Sequence, residues 1–104
     1  MNELLRDIAA LDRVIHEPAR LMIMTLLYAA GEADFVYLQR EGGFTQGNLS
    51  THLARLEEAG YVDIEKTFRG KYPLTICRLT GKGRFAFEGY MNTMRGAFTA
   101  PGSE

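Results

Sequence analysis

Residues 44–62 form the segment that most constrains how this chain can fold. Thr45 stands where a hydroxyl can accept a hydrogen bond from a free backbone N–H of a first helical turn, and Gly60 suits the left-handed residue that ends a helix. Three leucines between them recur at the i, i+4, i+7 spacing of one helix face: Leu49, Leu53 and Leu56. The segment therefore predicts a helix over about 45–59 with one buried face.

The opposite face of this helix is polar and carries acidic residues only at its C-terminal end. Hydroxyl, amide and guanidinium groups can contact base edges in a DNA major groove, or phosphates. The candidate DNA-binding residues are Thr45, Gln46, Asn48, Ser50, Thr51 and Arg55. An ordinary solvated face is the alternative, and the segments on either side of the helix bear on that choice.

The composition indicates one globular domain. Of the 104 residues, 46% are hydrophobic, which is ordinary for a packed chain and argues against wholesale disorder. No apolar run approaches the roughly 18 residues that span a membrane, and the acidic N-terminus does not resemble a secretory signal. Cys77 is the single cysteine, so no internal disulfide can form. We expect one domain over 1–98, a loose tail over 99–104, no membrane contact and a cytoplasmic location.

The formal net charge of −1 looks unsuited to nucleic acid, but the charges are unevenly placed. Residues 45–84 hold seven Lys or Arg against four Asp or Glu, a balance of +3, whereas the rest of the chain balances to −4. A basic middle fits a local footprint on phosphates. Ordinary scatter in a short chain is the alternative.

Helical patterns precede the segment at 44–62. Apolar residues spaced i, i+4, i+7 and i+11 predict a first helix over about 2–14. Pro18 favours a fresh start for a nearly all-apolar helix over about 19–30, which we expect to be central and buried. Asp34 can cap a third short helix that ends near Arg40.

The pattern after Gly60 changes to that of a hairpin and a final helix. Residues 61–79 contain two stretches of strand composition around a basic turn, in which Arg69 and Lys71 flank a glycine. Thr80 can cap a last helix over about 81–97. A cationic tip of this kind suits phosphates or a narrow minor groove, with a solvated turn as the alternative.

The predicted order of three helices followed by a hairpin resembles the winged helix-turn-helix. Residues 49–62, which read LSTHLARLEEAGYV, resemble a signature shared by MarR-like and ArsR-like repressors, and the flanks at 15–21, 72–75 and 79–84 match as well. The resemblance covers about 11–95. It implies a mainly α fold with a small β-hairpin, a recognition helix in the major groove of double-stranded DNA, and a wing along the minor groove or backbone. His52 often packs beside the wing in such signatures, so base contact by it stays open.

The resemblance also implies a homodimer built from the two terminal helices. We expect their apolar stripes to contribute to a two-fold interface, with packing on a single core as the alternative: Leu4, Ile8, Leu11, Phe87, Met91, Met94 and Phe98. A small-molecule effector of unknown identity is a further expected partner. Four methionines are candidates to line its site, with core packing as the alternative: Met22, Met24, Met91 and Met94.

Other function classes lack sequence support. The chain has no GxSxG, P-loop or Rossmann fingerprint, so no enzyme and no cofactor are expected. His16, His52 and Cys77 show no metal-ligand spacing, so no metal site is expected. We interpret Cys77 as a small buried hydrophobe, with a redox-sensing thiol as the alternative. Two other functions remain open: a winged helix that binds a protein partner without DNA, and RNA binding, for which Tyr72 alone is a poor stacking platform.

Overall fold

A computed structural model describes residues 2–98, and within them the chain forms five helices and one antiparallel sheet. The predicted fold class, a mainly α winged helix-turn-helix, is confirmed. The tail predicted over 99–104 lies outside the described residues. The elements in chain order are α1 (Glu3–Ala9), α2 (Pro18–Ala30), β1 (Glu32–Asp34), α3 (Phe35–Gly42), α4 (Gln46–Glu58), β2 (Val62–Arg69), β3 (Tyr72–Leu79) and α5 (Gly81–Phe98).

Side-chain caps begin three of the helices where the sequence predicts them. The Asp34 carboxylate accepts the Tyr37 N–H at 2.8 Å, and the Thr45 hydroxyl accepts the Asn48 N–H at 3.1 Å. At the start of α5 the Thr80 hydroxyl accepts the Gly83 N–H at 2.9 Å. These bonds satisfy backbone donors that have no partner inside the helix.

The sheet has the strand order β1-β3-β2 and contains one strand that the sequence pattern does not predict. Strand β1 has only three residues, and its Glu-Ala-Asp composition is depleted in strands. It forms because it pairs with β3 in a fixed register, with Glu32 opposite Arg78 and Asp34 opposite Ile76. The predicted β-hairpin is thus part of a three-stranded sheet.

Helix α1 is shorter than the predicted range of 2–14, because it ends at Ala9. The Asp12 carboxylate accepts the N–H groups of Val14 and Ile15 at 2.8 and 3.2 Å, which replaces helical backbone bonding with a local turn. The prediction of one continuous helix is wrong for this reason. The apolar residues after Ala9 are not on a helix face, because Leu11 and Ile15 pack in the core from the turn between α1 and α2.

The buried core lies between the central helix α2, the helices packed on it and the inner face of the sheet. Its fully covered members come from the turn before α2 and from α2, α3, α4, β2 and β3: Ile15, Ile23, Met24, Leu27, Leu38, Leu49, Leu56, Val62 and Cys77. Helix α1 packs on α5 at one end of the chain, and the β2–β3 hairpin projects as the wing. The Cα radius of gyration is 15.8 Å, against about 13 Å for a compact domain of this length. No helix of the described part is long and apolar enough to cross a membrane.

Candidate nucleic-acid interface

Helix α4 is fixed by its buried leucine face and presents two polar stripes on the rest of its surface. Leu49, Leu53 and Leu56 are buried, as predicted. Gln46 and Ser50, spaced i, i+4, line the side that faces the wing. The second stripe is exposed and is spaced i, i+3, i+7: Asn48, Thr51 and Arg55. All of the predicted polar residues of this helix are therefore at the surface.

Two of these predicted contact residues also serve the helix itself. The Thr45 hydroxyl caps α4 by accepting the Asn48 N–H, and the Thr51 hydroxyl donates to the Gly47 carbonyl at 3.0 Å. Each oxygen keeps a free bonding position, because a hydroxyl has one donor and two acceptor sites. Asn48 and Arg55 use none of their side-chain groups within the described chain, so they have full capacity for a ligand.

A polar cluster ties α4 to the start of α2. The Arg20 guanidinium donates to Nδ1 of His52 at 3.2 Å and to the Val14 carbonyl at 2.6 Å. Because a guanidinium only donates, Nδ1 of His52 is the acceptor of this bond when the ring is neutral. His52 therefore packs against α2 and not beside the wing. Its partly buried ring helps to fix the angle at which α4 leaves the core.

Glu17 completes this cluster at the N-terminus of α2. Its carboxylate accepts the N–H groups of Arg20 and Ala19 at 2.9 and 3.2 Å and lies 3.6 Å from Nδ1 of His52. Burial raises the pKa of this carboxyl, but the two N–H groups, with His52 and Arg20, outweigh it, so the pKa lies below the ordinary 4.5. The cap therefore stays ionised near neutral pH.

An open groove separates α4 from the wing, and the residues on its strand side were not among the predicted contact residues. Lys66 and Thr75 line that wall opposite Gln46 and Ser50. The register explains the placement: Lys66 pairs with Thr75 and shares the helix-facing side of the ribbon with Val62 and Ile64. The alternation after Val62 was the signal that could have found Lys66.

Most of the cations on α4 and the wing have no partner inside the described chain. Four of them make no ion pair or side-chain hydrogen bond with residues 2–98 and are exposed: Arg55, Lys66, Arg69 and Lys71. Arg69 and Lys71 lie at the wing tip, where Gly70 has a φ of 61°. Arg78 differs, because it pairs with Glu65 at 2.8 Å. Glu57 is the acid that also lines the groove, so the four cations outnumber it and make the groove and wing tip locally positive.

The residues predicted for a dimer interface divide into two groups. Leu11 and Phe87 are buried within one chain, and Met91 and Met94 pack against the core. Leu4 is half-buried and Ile8 is exposed, while Phe98 ends α5 with a side chain outside the described part. Two more exposed apolar residues lie on these helices, Leu5 and Phe85, and neither was among the predicted interface residues.

The methionines and the cysteine do not form a common site. Met24 is wholly buried, whereas Met22 is exposed on another side of α2, so the four methionines do not line one cavity. Cys77 is also wholly buried, as interpreted from the sequence. Burial, with the charges of Asp34 and Glu57, raises the pKa of its thiol to about 11, which disfavours the reactive thiolate. Among the described residues no group of three metal-ligating side chains comes together.

Comparison with known proteins agrees with this geometry. Residues 19–97 match a family model described as a winged helix DNA-binding domain. An uncharacterized protein of Methanocaldococcus jannaschii is 37% identical over 79 residues, which cover 76% of this chain and 86% of that protein. A solved transcriptional regulator homologue from Pyrococcus horikoshii OT3 superposes with a TM-score of 0.86 at 26% identity, covering 94% of this chain and 96% of the other. A MarR-family transcriptional regulator from Silicibacter pomeroyi shares the fold, with a TM-score of 0.64 and 19% identity over 97% of this chain and 66% of the other.

Proposed function

We propose that this chain, which belongs to the family of winged helix DNA-binding domains, is a homodimeric transcriptional regulator that binds a specific double-stranded operator in the cytoplasm. The observation that carries the proposal is the surface formed by α4 and the wing. It combines an exposed row of base-reading groups with four unpaired cations. We propose repression by occlusion of a promoter as its mode of action.

In the proposed complex α4 lies in the major groove. Asn48 can bond an adenine edge through its amide, and Arg55 can bond guanine or a phosphate. Gln46 and Ser50 face the groove next to the wing, where Lys66 provides a cation for the phosphate strand that runs between helix and wing. Arg69 and Lys71 extend this contact to the backbone or the adjacent minor groove.

The proposed dimer uses the two terminal helices, α1 and α5. Helix α1 has no buried residue in a single chain, although Leu4, Leu5 and Ile8 give it a large apolar surface. Phe85 on α5 is 80% exposed. A second copy that covered these side chains would remove apolar surface from water and would double the number of base contacts. Leu11 and Phe87 are already buried within one chain, so they would pack beneath the interface residues and would not contact the second copy directly.

An effector, if the regulator responds to one, would act by changing the spacing or tilt of the two recognition helices. The ends of α2 and α5 provide a route for that coupling, because α2 holds His52 of α4 through Arg20 and also packs on α5. The chemical class of the effector does not follow from the residues.

The test is a titration of labelled duplex DNA from the region flanking the protein's own coding sequence, at about 50 and 200 mM salt, with an unrelated duplex as the control. We expect tight binding to the flanking DNA, weaker binding to the control, and a steep loss with salt, because phosphate contacts release counterions. Sedimentation of the complex would show two chains per operator.

Two other outcomes change the proposal. Equal and weak binding to both duplexes would mean that the operator lies elsewhere and that the protein does not regulate its own gene. No binding at low salt would contradict a DNA-binding role and would favour a winged helix that binds a protein partner.

A further inference from the structure

The wing carries an exposed aromatic side chain that the proposed phosphate and base contacts do not use. Phe68 is 69% exposed. It pairs across the ribbon with Pro73, and both lie on the same side of the wing as Lys66. This is the side that faces the groove beside α4.

The Phe68 side chain contributes little to the packing of the core. It stands four residues beyond Ile64, the last partly buried hydrophobic residue of β2, which is about 13 Å along the strand. Its neighbour Pro73 is also exposed, so the pair covers little of the core. A large apolar side chain in such a place indicates contact with a ligand or a partner.

The charges beside Phe68 indicate which partner. Lys66 lies on the same side of the ribbon as Phe68, Arg69 and Lys71 follow it at the wing tip, and the nearest acid on β2, Glu65, is engaged with Arg78. A second copy of the wing would bring the same cations and would be repelled. A polyanion with apolar sugar and base surfaces between its phosphates satisfies both features, and the minor groove of DNA has that chemistry.

We propose that Phe68, supported by Pro73, is an apolar wedge that the wing places in the minor groove of bound DNA. Apolar wedges partly unstack a base step and kink the duplex. The preferred operator would then contain a flexible pyrimidine–purine step under the wing, because such steps unstack most readily. This inference rests on the proposed function, since it needs the wing to meet DNA.

The experiment compares full-length wild type with Phe68→Ala, Phe68→Leu and Lys71→Ala. The probe is a duplex of about 30 base pairs from the flanking region, labelled at both ends so that energy transfer reports bending and anisotropy reports affinity. We expect Phe68→Ala to weaken binding about tenfold, with an unchanged salt slope and a lost bend. Phe68→Leu should keep most of both. Lys71→Ala is the matched control on the same tip, and it should reduce the salt slope by about 2, one phosphate contact in each half of the proposed dimer, while the bend remains.

Because Phe68 is exposed, its variants should melt at the wild-type temperature, which separates a contact effect from misfolding. Wild-type affinity and bending in Phe68→Ala would overturn the wedge and leave the regulator proposal intact. A change in sedimentation of the free protein with unchanged DNA binding would also overturn it, by showing that Phe68 meets protein. A wild-type protein that binds no duplex would overturn both proposals.

Discussion

Gly83 lies in the first turn of α5, directly against the backbone of Tyr61, the residue before β2. A methyl group on its Cα would overlap the carbonyl oxygen of Tyr61 and would lie 2.9 Å from the carbonyl carbon and Cα of that residue. That carbonyl cannot turn away freely, because it accepts the Thr80 N–H at 3.0 Å. The Gly83→Ala substitution therefore forces α5 to move away from the corner.

The cost can be worked from the bonds at this corner. Overpacking against rigid backbone costs about 1–3 kcal/mol. The shift also strains the bond from Gly83 N–H to the Thr80 hydroxyl and the bond to the Tyr61 carbonyl, each contributing about 0.5–1.5 kcal/mol. Alanine regains about 1 kcal/mol of helix propensity. The free energy of unfolding should fall by about 3 kcal/mol, which corresponds to a melting temperature lower by about 12–24 °C.

Gly89 is the matched control in the same helix. A Cβ added there meets no atom within 4 Å, so the propensity gain is not opposed. Gly89→Ala should raise the free energy of unfolding by about 0.5–1 kcal/mol. Thermal melts followed by circular dichroism, at equal protein concentration because a dimer's stability depends on it, measure both changes. Shifts of the same sign in the two variants, or an unchanged melt for Gly83→Ala, would refute the steric reasoning.

Four further predictions concern α4, the α4–α5 corner and the sheet. Asn48→Ala should cost about 1–3 kcal/mol in each half-site of the correct operator and relax preference at one base pair there; equal losses on operator and random DNA would show that Asn48 does not contact a base. Thr45→Ala should lower stability by about 0.5–2 kcal/mol in urea titrations through the lost cap, and an unchanged midpoint would contradict the cap's role. Burial and the bond to Asp12 raise the pKa of Tyr61 to about 12, above the ordinary 10. The protonated Tyr61 hydroxyl therefore contributes to the free energy of unfolding in full below pH 10, and this contribution is lost as the pH rises through 12. The melting temperature of the wild type should fall between these pH values, and it should fall less in Tyr61→Phe. The buried Cys77 thiol should react with alkylating reagents at pH 8 only at the rate of opening, and fast labelling of native protein would show that it is accessible.

Local signals made α4 predictable from the sequence, and long-range pairing made β1 unpredictable. The cap at Thr45, the buried leucine row and the left-handed Gly60 all lie within one short segment, and each acts on the backbone nearest to it. Strand β1 has no such signal, since its three residues become a strand only through Arg78 and its neighbours far along the chain. The predicted bounds of helix α1 were wrong because a local signal extended too far along the sequence. A correct apolar spacing continued across the Asp12 turn and looked like one helix.

The candidate site was predictable where residues lie on a helix face and less so on the wing. The polar stripes of α4 follow from helical spacing alone. The positions of Lys66 and Phe68 on the wing could be predicted only with the strand register. The exposure of Leu5 and Phe85 could be predicted only from the fold, which determines the apolar side chains that the core leaves uncovered. The role of His52 could not be read from spacing either, because its partners Arg20 and Glu17 come from a different helix.

The positive charge of the middle segment illustrates why a sequence balance is a poor measure of a DNA footprint. Three of its seven cations have internal roles: Arg78 pairs with Glu65, Arg84 lies 5.0 Å from the ring centroid of Tyr28, and Lys82 lies 5.7 Å from that of Tyr61. The other four are exposed on α4 and the wing: Arg55, Lys66, Arg69 and Lys71. Phosphate binding depends on the number of these side chains, not on the net charge. If all four meet phosphates in each half of the proposed dimer, log affinity should fall with log salt at a slope of about −7, whereas one chain alone would give about half of that. A protein with a formal charge of −1 can therefore bind DNA with the salt dependence of a strongly basic one.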